Sequence, residues 1–148
     1  MIRLSKSKAH ANSILRLVKS ELFPKAKQTF PELEWNREEM LRRLRRGRTY
    51  IYLLPENKAA GFIHVISAPP NLWIDMLAVS PEVRSQGIGT ALLNRAERYA
   101  MKQRNLNCVR LFVDMKNAAA VCFYERRGYV AENVLRDYQC YIYRKDMK

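Results

Sequence analysis

The stretch Leu77-Ala78-Val79-Ser80-Pro81-Glu82-Val83-Arg84-Ser85-Gln86-Gly87-Ile88-Gly89-Thr90-Ala91-Leu92 decides how the rest of the chain is read. A strand ends at Val79, a short loop carries Arg84, and Gly87 and Gly89 open a helix. The first N–H groups of a helix lack intrahelical partners and sit at the positive end of its dipole. A strand–loop–helix junction with bare glycine backbone therefore suits a phosphate. Arg84 adds a full charge at the same place. Two familiar phosphate loops are excluded. A P-loop requires a lysine before its Ser/Thr, and none stands between Gly89 and Thr90. A dinucleotide fingerprint needs a small third residue where Leu92 stands, and an acid about 20 positions on, where Val109 has neutral or basic neighbours.

Upstream of this junction lie three runs rich in β-branched and aromatic residues: Thr49 to Leu54, Ala60 to Ser67 and Leu72 to Val79. Pro55-Glu56-Asn57-Lys58 and Ala68-Pro69-Pro70-Asn71 separate them, the pattern of an antiparallel meander. Before it, Met1 to Leu4 is compatible with a short strand. Ser7 caps a helix whose apolar stripe is Ala11, Ile14, Leu15, Val18 and Leu22, with Pro24 at or just past its end. A second helix is predicted from about Asn36 to Arg46, stopped by Gly47. Downstream, the helix from Gly87 to about Gln103 precedes a strand at Cys108 to Val113. A helix from Ala118 to Arg127, closed by Gly128, and a strand at Asp137 to Tyr143 follow, with one more short strand expected at Tyr129 to Ala131. The order is β-α-α-β-β-β-α-β-α-β(β). Strands 72–79 and 108–113 should be parallel neighbours joined by a right-handed crossover, which makes a mixed α/β sheet.

The chain has 148 residues, 48% of them hydrophobic and 28% charged, which fits one globular domain over residues 1–148 and excludes general disorder. No apolar run is long enough to span a bilayer, and no apolar stretch follows the first basic residues. The expected location is the cytoplasm, with no membrane partner. Cys108, Cys122 and Cys140 are too far apart for a zinc clamp, and neither His10 nor His64 supplements them, so no metal is expected. The net charge of +13 is unevenly spread: residues 1–48 carry +8, residues 49–94 carry −1, and residues 95–148 carry +6. Such a field favours polyanions: nucleotide cofactors, nucleic acid or an acidic partner.

Two motifs carry a resemblance to a known family. Arg84-Ser85-Gln86-Gly87-Ile88-Gly89 is similar to the Arg/Gln-x-x-Gly-x-Gly/Ala signature of the GNAT superfamily of acetyl-CoA-dependent N-acetyltransferases, and Leu77 to Pro81 resembles its lead-in. Asn117-Ala118-Ala119-Ala120-Val121-Cys122-Phe123-Tyr124-Glu125-Arg126-Arg127-Gly128-Tyr129 resembles the family's Asn-x-x-Ala-x-x-x-Tyr-x-x-x-Gly-Phe/Tyr stretch. The element order fits over nearly the whole chain, whereas the first 48 residues match in layout only.

The resemblance implies that backbone N–H groups from Arg84 through Ser85, Gln86, Gly87, Ile88, Gly89 and Thr90 hold the CoA pyrophosphate. It also implies that Leu77, Ala78 and Val79 pair with the pantetheine arm where the fourth strand leaves the fifth. An N–H at or near Leu77 would polarise the thioester carbonyl. Tyr124 would protonate the departing thiolate, and Asn117, seven residues earlier on the same helix face, would bind the cofactor. The family's carboxylate positions hold Trp73 and Phe112. Asp75 is left as the candidate base, directly or through water, against the alternative of a pinned buried carboxylate. His64, alone on its strand, reads as structural. Arg42, Arg43, Arg45, Arg46 and Arg48 read either as a solvated face or as a basic rim that would favour neutral or acidic acceptors over polyamines.

The function these readings support is direct acetyl transfer from acetyl-CoA to a primary amine in a ternary complex, since no activated nucleophile pair is evident. The acceptor is a peptide N-terminus or a small amine. The rival reading is a CoA-binding sensor or nucleic-acid-associated module of the same fold without catalysis.

Overall fold

The computed structural model describes residues 1–148. Strand β1 (Ile2–Leu4) leads to helix α1 (Lys8–Leu17), which runs through a π-helical turn (Val18–Leu22) into α2 (Phe23–Thr29) and is followed by α3 (Arg37–Arg45). Strands β2 (Arg48–Leu54), β3 (Lys58–Ala68) and β4 (Asn71–Val79) precede the long helix α4 (Ile88–Lys102). Strand β5 (Cys108–Asp114), helix α5 (Ala118–Arg126), β6 (Val130–Leu135) and β7 (Cys140–Asp146) complete the order. The seven strands form one sheet in the order β1-β2-β3-β4-β5-β7-β6. The β4–β5 pair is parallel and the others are antiparallel. This is the mixed α/β sheet expected from the meander and the crossover. No helix is long and apolar enough to cross a membrane.

Two expectations need correction. Pro24 does not end the first helix. It stands in the first turn of α2, where a missing N–H breaks no hydrogen bond, so the chain stays helical to Thr29. The last strand also begins later than Asp137. Arg136–Tyr138 forms a 3₁₀ turn and Gln139 is left-handed at φ 51°, so extended pairing starts only at Cys140. The short strand expected at 129–131 is longer than anticipated and pairs with β7.

Strand β4 buries every second residue, as its alternation predicts, but it does not bury them in one core. Opposite β3, His64 faces Met76 whereas Val65 faces Ile74, so Asp75 is an extra residue, a β-bulge. Leu72 and Ile74, before the bulge, join the core under α4 with Leu92, Leu93 and Ala96. Met76 and Ala78, after it, join the core under α1 with Ile14, Leu17 and Val18. One inserted residue reverses the sense of a period-2 pattern, so a single strand serves both faces of the sheet.

The bulge adjoins a second irregularity. Strand β4 pairs with β5 only over Asn71–Ile74 against Cys108–Leu111. From Asp75 onward β4 has no partner on that side, and the two strands part.

Candidate active site

The parting of β4 and β5 opens a groove of about 600 Å³. Its floor is Leu77, Leu111 and Tyr124, and its walls come from α2, α3 and the start of α5. Backbone donors and acceptors at an unpaired strand segment need partners from outside the sheet, so the split is a ready strip for an extended ligand.

Strand β4 runs out of this groove into the glycine loop. Pro81–Val83 makes a 3₁₀ turn, and Ser85 and Gly87 both adopt left-handed backbone at φ 66° and 79°. Gly87 is the N-cap of α4, and no side chain caps that helix. A Cβ built on Gly87 would meet nothing within 4 Å, so the space beside it is open. A Cβ on Gly89 would lie 3.3 Å from the Phe123 ring, so glycine there lets α5 close on the first turn of α4. Ser85 and Gln86 are exposed, whereas Ile88 turns its side chain into the core and leaves its N–H at the helix end. The N–H of Ala91 is the first in α4 to find an intrahelical carbonyl, that of Gly87, at 3.0 Å.

The charges around this loop differ from the expectation. Arg84 forms an ion pair with Glu21 in the π turn. A second cation, Arg127, comes from the end of α5. Its Nε donates to Thr90 Oγ1 at 2.9 Å, its Nη1 donates to the Phe123 carbonyl at 2.7 Å, and its guanidinium lies 3.7 Å over the Phe123 ring. Neither Glu21 nor Arg127 carries a local sequence signal for this role, because the Arg84–Glu21 pair spans 63 residues and the Arg127–Thr90 bond 37.

Tyr124 is 7% exposed and packs edge-on against Phe123 and Tyr129, with ring centroids 5.1 and 5.5 Å away. Its hydroxyl makes no hydrogen bond within the chain and is not sealed from the groove. Burial pushes the phenol well above its ordinary pKa, and the charge of Arg127 opposes this only in part. Asn117 lies at the same end of the groove, but its Oδ1 accepts from the Ala120 N–H at 3.1 Å and so caps α5.

Asp75, on the bulge, faces α3. Arg43 grips it with Nε donating to Oδ2 at 2.9 Å and Nη2 donating to Oδ1 at 2.7 Å, a bidentate pair. His64 Nε2 stands 3.8 Å from the same carboxylate. The ring of His64 is fully buried and its partners fix its tautomer. Nδ1 accepts from Thr49 Oγ1 at 2.7 Å, while Nε2–H donates to the carbonyls of Arg46 at 2.9 Å and Arg43 at 3.2 Å. Burial holds its pKa below the usual histidine value, although Asp75 pulls the other way. His64 is thus the tie between β3 and the end of α3, in keeping with a structural reading. Trp73 and Phe112 stack at 5.0 Å and 13° where β4 and β5 part.

Of the two readings of the arginines, a solvated face or a basic rim, the structure forms no continuous rim. Of Arg42, Arg43, Arg45, Arg46 and Arg48, only Arg43 lines the groove. Positions three and four apart share a helix face, so Asn36, Glu39, Met40 and Arg43 turn inward while Arg42, Arg45 and Arg46 do not. The sequence reading did not separate Arg43 from its neighbours, although Met40 and Arg43 lie three apart on one helix face. The groove's own charges are mixed: Glu34, Glu39, Asp75 and Asp114 against Lys25, Arg43 and Lys116. No cysteine lines it, and no cluster of His, Cys, Asp or Glu could hold a metal ion.

Comparison with known proteins points the same way as the geometry. Residues 12–129 match the profile of the acetyltransferase (GNAT) family. An uncharacterized N-acetyltransferase of Methanocaldococcus jannaschii is 41% identical over 63 residues, which is 43% of this chain and 27% of that protein. The chain therefore matches about a quarter of that relative's length. Among solved structures, Ard1 from Thermoplasma volcanium superposes with a TM-score of 0.79 at 22% identity, covering 99% of this chain and 96% of the other. The PaiA N-acetyltransferase from Thermoplasma acidophilum, in complex with coenzyme A, gives 0.76 at 19% identity and 99% coverage of both chains.

Proposed function

The chain belongs to the acetyltransferase (GNAT) family, and we propose that this acyltransferase moves an acetyl group from acetyl-CoA directly to the α-amine of a peptide N-terminus. The reading takes residues 1–148 as one such domain and places it in the cytoplasm. The observation that carries it is the continuity of three features: the uncapped, open N-terminus of α4, the unpaired end of β4, and the Tyr124 hydroxyl at the foot of the split.

The residues fit the donor. The N–H groups of Ile88, Gly89 and Thr90, free of intrahelical partners, offer a cradle for the pyrophosphate, and Gly87 leaves it room. Arg127 adds charge at Thr90, and Arg84 can do so by exchanging Glu21 for phosphate. The unpaired strip Leu77–Val79 takes the pantetheine amides as an added strand would. Acetyl-CoA supplies an activated thioester. The chain contributes an N–H near Leu77 to polarise the carbonyl, and Tyr124 to give a proton to the leaving sulfur. An elevated phenol pKa keeps that proton in place until a thiolate forms beside it.

The choice of acceptor follows from the base. Asp75 is the candidate, acting through water, but its carboxylate is held by Arg43. A base so engaged suits an amine that needs little help. An α-amine of pKa about 8 is roughly 10% neutral at pH 7, whereas a lysine-type amine is less than about 0.1% neutral. Direct transfer is supported by the cysteines: Cys108 and Cys140 have thiol pKa values raised by burial, and all three lie outside the groove. Thiol release from acetyl-CoA, screened against N-terminal peptides and small amines, tests the proposal. Peptide α-amines should lead, and the absence of turnover on every amine despite acetyl-CoA binding would reject it.

A further inference from the structure

Helix α3 also borders a second concavity that shares no residue with the groove. It measures about 720 Å³ and lies between the β1–α1 connection, α3 and the start of β2. Its charge is one-sided. Lys6, Lys8, Arg37, Arg45 and Arg48 line it, and no Asp or Glu does. None of the five belongs to any of the ion pairs in the molecule. Arg37 donates to Asn12 Oδ1 at 2.7 Å, and Arg48 lies 4.4 Å over the Tyr99 ring, so two of them are held in place by neutral neighbours.

Five cations around one hollow repel one another, and folding alone gives no return for gathering them. The polar partner that fits is a dense array of negative charge. From these residues we infer that this concavity is a docking site for the sugar–phosphate backbone of a double-stranded nucleic acid, separate from the acetyl-transfer groove. A duplex carries about one charge per 1.7 Å of axis, and each phosphate neutralised releases condensed counterions, a gain that an acidic peptide offers far less. Three of the five are arginines, whose fork matches phosphate oxygens. The lining contains no aromatic side chain, and Tyr99 is covered by Arg48, so there is no platform for stacking unpaired bases. The large exposed hydrophobic residues lie elsewhere, so nothing at this site would enter a lipid bilayer. Recognition is then of backbone rather than sequence, with steep salt dependence.

The test compares the wild type with a Lys6→Gln/Lys8→Gln/Arg37→Gln/Arg45→Gln variant. A control variant removes four exposed, unpaired cations elsewhere: Lys102→Gln/Arg104→Gln/Arg126→Gln/Arg136→Gln. Probes are a short RNA duplex, the same duplex in DNA, polyglutamate, and phosphatidylserine vesicles, each over a salt series. Duplex affinity should fall at least tenfold in the first variant and less than threefold in the control. The salt slope should become shallower by about 0.9 for each phosphate that is no longer neutralised. Unchanged melting temperature and acetyl-CoA affinity confirm that the variant is folded. If it is not, Lys6→Glu and Arg45→Glu singly should each weaken duplex binding. Equal loss in the two variants, no duplex binding by the wild type, or tighter binding to polyglutamate or vesicles would each overturn the assignment.

Discussion

Tyr124 holds its hydroxyl at the groove without a partner in the chain, so Tyr124→Phe removes one oxygen and disturbs no internal hydrogen bond. Turnover should fall by roughly 10²-fold while calorimetry shows acetyl-CoA affinity retained. The pH profile adds a second check. Because burial raises the phenol's pKa, tyrosine ionisation should not limit the alkaline side. The acidic limb should instead follow the acceptor, with kcat/KM rising through the α-amine pKa near 8. An alkaline decline that disappears in Tyr124→Phe would contradict this assignment. Asp75 is a different kind of residue, because its partner is known. Arg43→Gln frees the carboxylate, and if Asp75 acts as a base the variant should shift the acidic limb. A limb that moves in neither Arg43→Gln nor Asp75→Asn returns the pair to a structural role.

Single elements carry the next consequences, and α3 is the clearest. Its start is capped by Asn36, whose Oδ1 accepts from the Glu39 N–H at 3.0 Å, and its end is tied by His64 to β3. Asn36→Ala should cost about 1 kcal/mol, read from denaturant unfolding. The tie predicts a pH dependence whose sign is fixed. Folding lowers the pKa of His64, so the unfolded chain binds the proton more readily than the folded one. This contribution is therefore complete above the unfolded pKa of about 6.5 and declines as pH falls toward the folded value. Melting temperature measured between pH 8 and 5.5 should drop less steeply in His64→Gln than in wild type, from a lower starting point. Strand β4 shows how much of an element the sequence leaves open. Its alternation is plain, yet the bulge at Asp75 divides its apolar residues between two cores, and no local pattern marks that position.

For the whole molecule, donor binding should stabilise the fold. At about one hundred times Kd, a ligand that binds only the native state adds roughly 2.7 kcal/mol, on the order of 5–10 °C in Tm for a chain of this size. Gly87→Asp fills the open space at the head of α4 and adds negative charge, so acetyl-CoA should shift its Tm little or not at all. Charge distribution gives a further outcome at this scale. Since Arg42, Arg45 and Arg46 do not line the groove, replacing all three by Gln should leave kcat/KM on a small acceptor within about twofold. A large loss would restore the basic rim.

The sequence by itself determined the element order, the parallel crossover, the glycine junction and the position of Tyr124, because each rests on periodicity, turn chemistry or a short motif within one local stretch. Only the tertiary structure decided the rest. The chain stays helical through Pro24, Arg84 turns to Glu21, Arg127 reaches Thr90, Arg43 takes Asp75, and the other arginines on and after α3 do not line the groove. The long-range contacts join residues 32 to 63 positions apart, where no local spacing constrains the partner. Their geometry follows from how sheet twist, one bulge and the parting of two strands bring distant elements together.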